Sequence, residues 1–130
     1  LSVAENVEIV KTRIEKAALR VGRKPESVTL IAVTKTVGTA RIQEALSAGI
    51  RHFGENRIQE AKDKIPGIGR GAQWHLIGHL QTNKARQAVA LFDRIHSVDS
   101  LRVAEALQRE AEKKKKRLPI LVQVNIAGEE

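Results

Sequence analysis

The sequence predicts an α/β protein built from strand–helix units around a parallel sheet. Three observations predict it. Residues 28–34, Val-Thr-Leu-Ile-Ala-Val-Thr, are almost continuously apolar and β-branched, as expected of a strand buried on both faces of a parallel sheet. Short apolar runs then alternate with helical patterns at about the length of a βα unit. The 130 residues, 42% hydrophobic and 29% charged, suit one globular domain spanning 1–130.

The N-terminal segment carries Val3, Val7, Val10, Ile14, Ala17 and Val21 at alternating spacings of four and three. That is one helical stripe, so a helix is predicted over 2–21, with Gly22 as its stop and Pro25 beyond. The stripe is short for a coiled coil and fits a helix packed on a core. The βα units occupy 28–126. Strand 28–34 leads to a helix over 39–48, with Thr39 as N-cap and Gly49 as the stop. A short strand over 50–53 precedes a helix over 56–65 with Ile58, Ala61 and Ile65 on one face, and 66–71 reads as a loop. Strand 74–77, helix 82–91 and strand 94–98 follow. Ser100 caps a helix reaching about residue 115, with Leu101, Ala104, Leu107 and Ala111 inward. Pro119 opens a fifth strand over 120–125.

Two architectures accommodate five such strands: an open doubly wound sheet, or the first five strands of a (β/α)8 barrel, which typically needs about 250 residues. The chain stops at Gly128-Glu129-Glu130, just past a strand and with no helix to cover it, which favours the barrel.

The net charge of +8 suggests an anionic partner. Nucleic acid is disfavoured: Trp74, Phe53 and Phe92 are the only aromatic residues for base stacking. The run Lys113-Lys114-Lys115-Lys116-Arg117 reads either as a phosphate patch or as the exposed end of a helix, where cations complement the helix dipole; its place between a helix and a strand favours the latter. No stretch is apolar enough to span a bilayer, no signal-peptide pattern opens the chain, and no cysteine is present, which fits a cytoplasmic protein.

Lys35 directly follows the first strand. Ligands of parallel sheets gather at the carboxyl ends of strands, and an ammonium desolvated there is biased toward the neutral amine, a nucleophile for aldehydes. The plainer reading is a lysine that ends a strand and reaches solvent. Phe53-Gly54-Glu55-Asn56-Arg57-Ile58-Gln59-Glu60 straddles a strand end and a helix start: Asn56 offers an amide to a ligand, or Glu55 and Asn56 simply cap the helix. Trp74 to Lys84 is the densest polar cluster. His75 and His79 are four apart, but Gly78 and the strand pattern argue against a helical metal pair. Gly67, Gly69 and Gly71 precede a strand rather than follow one, so they do not make a dinucleotide loop. No nucleophile elbow is present.

Together these blocks resemble the pyridoxal phosphate homeostasis protein family. The resemblance rests on 30–36 (Leu-Ile-Ala-Val-Thr-Lys-Thr), Phe53-Gly54-Glu55-Asn56 with Gln59-Glu60, 74–84, His96-Ser97-Val98-Asp99-Ser100, and Gln123-Val124-Asn125-Ile126 with Gly128-Glu129-Glu130. It implies a (β/α)8 barrel of the alanine racemase N-terminal type, of which the first five strands are present. It also implies pyridoxal 5'-phosphate as cofactor, held as an aldimine on Lys35, with Asn56, His75 and Asn125 as further cofactor neighbours at the same mouth. The implied role is intracellular cofactor homeostasis without catalytic turnover.

The chain departs from the family at Thr36-Val37-Gly38, where members commonly carry a second lysine and a proline. The family's phosphate-binding residues belong to later strands, so weak capture is expected, with pyridoxal binding about as well as its phosphate. Self-association, or completion by a second barrel half, is also expected. An amino-acid racemase is the alternative function; it needs an acid/base group opposite Lys35, and the usual one, Tyr, is absent. A basic nucleic-acid-binding module is the second alternative.

Overall fold

The computed structural model describes residues 1–128. Glu129 and Glu130, which end the last motif above, lie outside the described residues. Ser2 opens helix α1 (Val3–Arg20), its Oγ accepting from the Glu5 N–H at 3.1 Å. Gly22, at φ +71, ends it as expected. The predicted stripe is only partly covered: Val3, Val7 and Ile14 are half-buried, Val10, Ala17 and Val21 are exposed, and Ala18 is the buried residue. Lys11 Nζ reaches across to the Ala48 carbonyl at 3.2 Å and so satisfies a C-terminal carbonyl of the next helix.

Five strands alternate with four helices: β1 (Ile31–Val33), α2 (Thr39–Ser47), β2 (His52–Glu55), α3 (Ile58–Ile68), β3 (Gln73–Leu76), α4 (Ala85–Leu91), β4 (Arg94–Val98), α5 (Leu101–Lys113) and β5 (Ile120–Val122). All four pairings are parallel, and the sheet order is β1-β2-β3-β4-β5. A doubly wound sheet reverses direction at a switch point. This order never reverses, which is the winding of a (β/α)8-type barrel, with five strands present.

The register sorts the side chains. Ala32, Phe53, Glu55, Trp74, Leu76 and Ile95 share the face that the helices cover. Phe53, Leu76, Ile95, Val89 and Phe92 are fully buried there, and the Phe53 and Trp74 rings pack tilted at 32° with centroids 5.3 Å apart. The opposite face, which lines the barrel interior, carries Ile31, Val33, His52, Gly54, His75, Arg94 and His96.

Several expectations need correction. The first strand is not buried on both faces: Ile31 and Ala32 are half-buried and Val33 is exposed, because no layer covers its inner side among the described residues. It is also shorter than 28–34, since a 3-10 turn (Pro25–Ser27) occupies the approach. Gly38, not Thr39, is the N-cap of α2. Arg57 is the N-cap of α3, so Glu55 and Asn56 are not its caps. That helix continues through Pro66 and Gly67, and the expected loop starts only at Gly69, at φ +83. Burying Ile68 rewards the extra turn, and Pro66 removes one bond so near the end that the helix tolerates it. A 3-10 turn (Thr82–Lys84) precedes α4. Ser100 caps α5 as read, accepting from the Val103 N–H at 3.2 Å. Leu101, however, is 74% exposed, while Val103, Ala106, Leu107 and Ala111 are buried. Leu101 sits about 120° round the helix from Leu107, off the stripe. In the basic run, Lys116 is structural: its Nζ donates to the Val89 and Phe92 carbonyls at 2.8 and 2.9 Å, closing the end of α4. The fifth strand is exposed at all three residues and ends at Val122 rather than 125.

This packing sets a contrast. Phe53→Ala should cost about 3–5 kcal/mol in urea unfolding, whereas Leu101→Ala should change stability by less than about 0.5 kcal/mol. Equal effects would mean that the inward face of α5 or of the sheet is misassigned.

Candidate functional site at the carboxyl edge of the sheet

Because every strand runs the same way, the residues that follow them gather at one edge. Lys35 lies two residues beyond β1 and is exposed, so the desolvation expected of it at this edge is not provided by the described residues. Asn56 directly follows β2 and is half-buried. Asn125 lies three residues beyond β5. His75 is different: it is the third residue of β3, buried within the sheet rather than beyond its end.

The backbone around Lys35 forms a tight turn. The Val37 N–H donates to the Thr34 carbonyl at 3.0 Å, placing Lys35 and Thr36 at its two central positions. Thr36 has φ +62 and Lys35 does not have positive φ, the signs of a type II turn. Type II turns favour glycine at that third position, and a β-branched residue in the left-handed region costs roughly 1–2 kcal/mol. The cost is offset by fixed partners on both sides of Lys35. Thr34 donates its N–H to the Gly54 carbonyl at 3.0 Å and its hydroxyl to the Glu55 carboxylate. Lys64 Nζ donates to the Thr34 carbonyl at 2.6 Å, to both Glu55 oxygens at 3.3 Å, and to Glu60 Oε1 at 2.6 Å. The Thr36 N–H donates to the same Glu60 oxygen at 2.5 Å. Lys64 and the Thr36 amide together hold the Glu60 carboxyl below the usual carboxylate range. Glu55 is fully buried and Lys64 nearly so, yet no buried side-chain polar atom lacks a partner among the described residues.

The neighbouring loop is fitted just as closely. A Cβ on Gly78 would lie 2.4 Å from the Asn56 carbonyl oxygen, so only glycine allows the loop after β3 to pass the loop after β2. The Ser97 hydroxyl donates to the Gly78 carbonyl at 2.6 Å and ties β4 to the same point. Beside Asn56, Arg57, Gln59, His79 and Lys84 help line a cavity of about 220 Å³.

On the inner face three histidines form a row. His52 Nδ1 lies 3.0 Å from His75 Nε2, and His75 Nδ1 lies 2.8 Å from His96 Nε2. Both nitrogens of His75 are thus engaged. A neutral imidazole has one donor and one acceptor, so the uncharged row is ordered head to tail. Burial pushes the His75 imidazole down to about 4, helped by the neighbouring His96 and His52 and the Arg94 guanidinium. Burial, then Arg94, also lowers His96.

The family model described as alanine racemase, N-terminal domain, matches residues 3–129. The chain belongs to the alanine racemase N-terminal domain family. Within it, the pyridoxal phosphate homeostasis protein of Escherichia coli (strain K12) is 43% identical over 131 residues, covering 98% of this chain and 56% of that protein. Its Synechocystis counterpart is 48% identical over 108 residues, covering 82% of this chain and 50% of that protein. PipY of Synechococcus elongatus PCC7942, solved with PLP bound, superposes with a TM-score of 0.83 at 44% identity, covering 98% of this chain and 57% of PipY. A protein from Bifidobacterium adolescentis superposes at 0.88 with 36% identity. The chain thus spans about half the length of the curated relatives it matches. No described helix is long and apolar enough to cross a membrane.

Sequence reasoning brought Lys35 and Asn56 to the same edge but missed the partners of the Lys35 turn. Glu60 and Lys64 carry the i,i+4 spacing of a helical ion pair, which was the available signal. The histidine row was missed too. It required knowing that the strands are adjacent, parallel and offset.

His75 generates a pH prediction. Its proton affinity is lower folded than unfolded, so the unfolded chain takes up the extra proton as pH falls from about 6.5 to about 4. Stability is full above that window and should drop by on the order of 2 kcal/mol across it. In His75→Asn the drop should shrink when urea unfolding is repeated at each pH. The same drop in both proteins would place its source elsewhere.

Proposed function

We propose that this chain is the cofactor-bearing part of a pyridoxal phosphate homeostasis protein, with Lys35 holding pyridoxal phosphate covalently through Nζ. The observation that carries the reading is the placement of Lys35: an accessible amine, on a turn fixed from both sides, at the carboxyl edge of the first strand of an alanine racemase-type barrel. The naming of the relatives and the PLP in PipY support it.

The residues present fit such a group. The Lys35 side chain is open to solvent, so an aldehyde can reach it, whereas Lys64 is buried with its donors committed to Thr34, Glu55 and Glu60. Bound there, the cofactor would supply an electrophilic carbon and an electron-withdrawing ring. Lys35 supplies the amine, and Asn56 and Asn125 contribute amides at the same edge. His75, with both nitrogens engaged inside the sheet, is assigned to the neutral floor of the site rather than to a hydrogen bond with the ligand.

The proposed role is to hold and release the cofactor in the cytoplasm without turnover. The partner is a small molecule rather than nucleic acid.

The test is titration of the chain with pyridoxal phosphate, borohydride reduction and peptide mass mapping. The expected label falls on Lys35 and disappears in Lys35→Ala. Label scattered over surface lysines, no more than on a denatured control, would overturn the reading. Incubation of the loaded chain with L-alanine should yield no D-alanine; accumulation of D-alanine would turn the reading toward a racemase.

A further inference from the structure

We propose that Lys64, held by Glu55 and Glu60, is the positioning residue for Lys35: it locks the turn that aims the Lys35 amine at the ligand mouth. The inference rests on the reading of Lys35 as the cofactor lysine and adds the device that sets its direction.

Three observations carry it. First, the contacts bracket Lys35 without touching its side chain. Lys64 Nζ binds the carbonyl of the residue before it, at 2.6 Å, and Glu60 binds the N–H of the residue after it, at 2.5 Å. One Glu60 oxygen receives both the Lys64 ammonium and the Thr36 amide, so the two anchors are a single connected unit.

Second, the turn needs holding. Thr36 is one of two non-glycine residues with positive φ among the described residues, and left-handed backbone at a β-branched residue persists only when its surroundings over-determine it. Relaxing Thr36 to negative φ would rotate the peptide between Lys35 and Thr36 and swing the Lys35 Cα–Cβ bond away from its present direction.

Third, the charges are placed where they are costly. A fully buried carboxylate and a buried ammonium lose hydration, and an apolar pair of similar volume would fill the space between β2 and α3 at least as well. What an apolar pair would lack is a donor for the Thr34 carbonyl, an acceptor for the Thr34 hydroxyl, and the ammonium that holds Glu60 against the Thr36 N–H.

The same geometry separates the two lysines chemically. Lys64 spends its donors on Thr34, Glu55 and Glu60. Lys35 has the exposed side chain. The pair therefore divides the work: Lys64 is committed to holding the turn, and Lys35 is left accessible to a ligand.

Amide hydrogen exchange at Thr36 in the cofactor-free chain and the site distribution of borohydride-trapped pyridoxal phosphate, measured together, test the proposal. In Lys64→Met, Thr36 exchange should speed up at least about tenfold, and the share of label on Lys35 should fall at least about fivefold. The Ile95 amide in β4 serves as the control for folding and should stay protected. If Lys64→Met does not fold, Glu60→Gln, in which the removed charge is a quarter exposed, carries the same measurement.

Label on Lys35 in the parent chain with unchanged Thr36 exchange or unchanged label in a folded variant would overturn the positioning role and leave the cofactor reading standing. Absence of label on Lys35 in the parent chain would overturn the cofactor reading, and the positioning role with it.

Discussion

The buried ion pair between Glu55 and Lys64 is the constraint on which the site depends. Glu55 ends β2, Lys64 lies one helical turn into α3 from Glu60, and their shared partners reach the end of β1. Two neighbouring strands, β1 and β2, and the helix α3 therefore meet at one charge cluster. In a dry setting such a cluster tolerates few arrangements, because each misplaced group leaves a buried charge unpaired. Its geometry is inherited by whatever the turn carries, and the turn carries Lys35. The shape of the turn at this edge is a consequence of the polar order beneath it.

The fold was legible where hydrophobic period and turn chemistry agreed. The strand over 94–98 is observed unchanged, and Ser100 caps α5 as the Ser-before-helix pattern requires. It was less legible where tertiary packing overrides local signals. Pro66 and Gly67 read as loop residues, yet Ile68 is buried at the helix end and carries the helix past them. Leu101 reads as a core residue by type, and its helical phase exposes it. Barrel winding was one of two alternatives in the sequence, because strand order is a property of pairing and not of pattern. The sequential parallel register settles it.

For the site, the lysine after the first strand was visible because a charge follows a β-branched run without a break. His75 was legible as a notable residue, but its surroundings were not: its neighbours His52 and His96 come from adjacent strands, and their approach depends on register and stagger. Lys64 was invisible as a partner of Thr34, thirty positions away. The exposed aliphatic side chains of β5, Ile120, Leu121 and Val122, show the other side of the same limit. An apolar strand pattern announces burial without saying which layer supplies it.

The measurement that tests the account most directly is a crystal structure of this chain grown with pyridoxal phosphate. The account predicts continuous density from Lys35 Nζ into the ligand, with Thr36 still left-handed and Lys64 still between Glu55 and Glu60. Density joined to another lysine, or a rebuilt Lys35 turn with the Lys64 contacts broken, would contradict it.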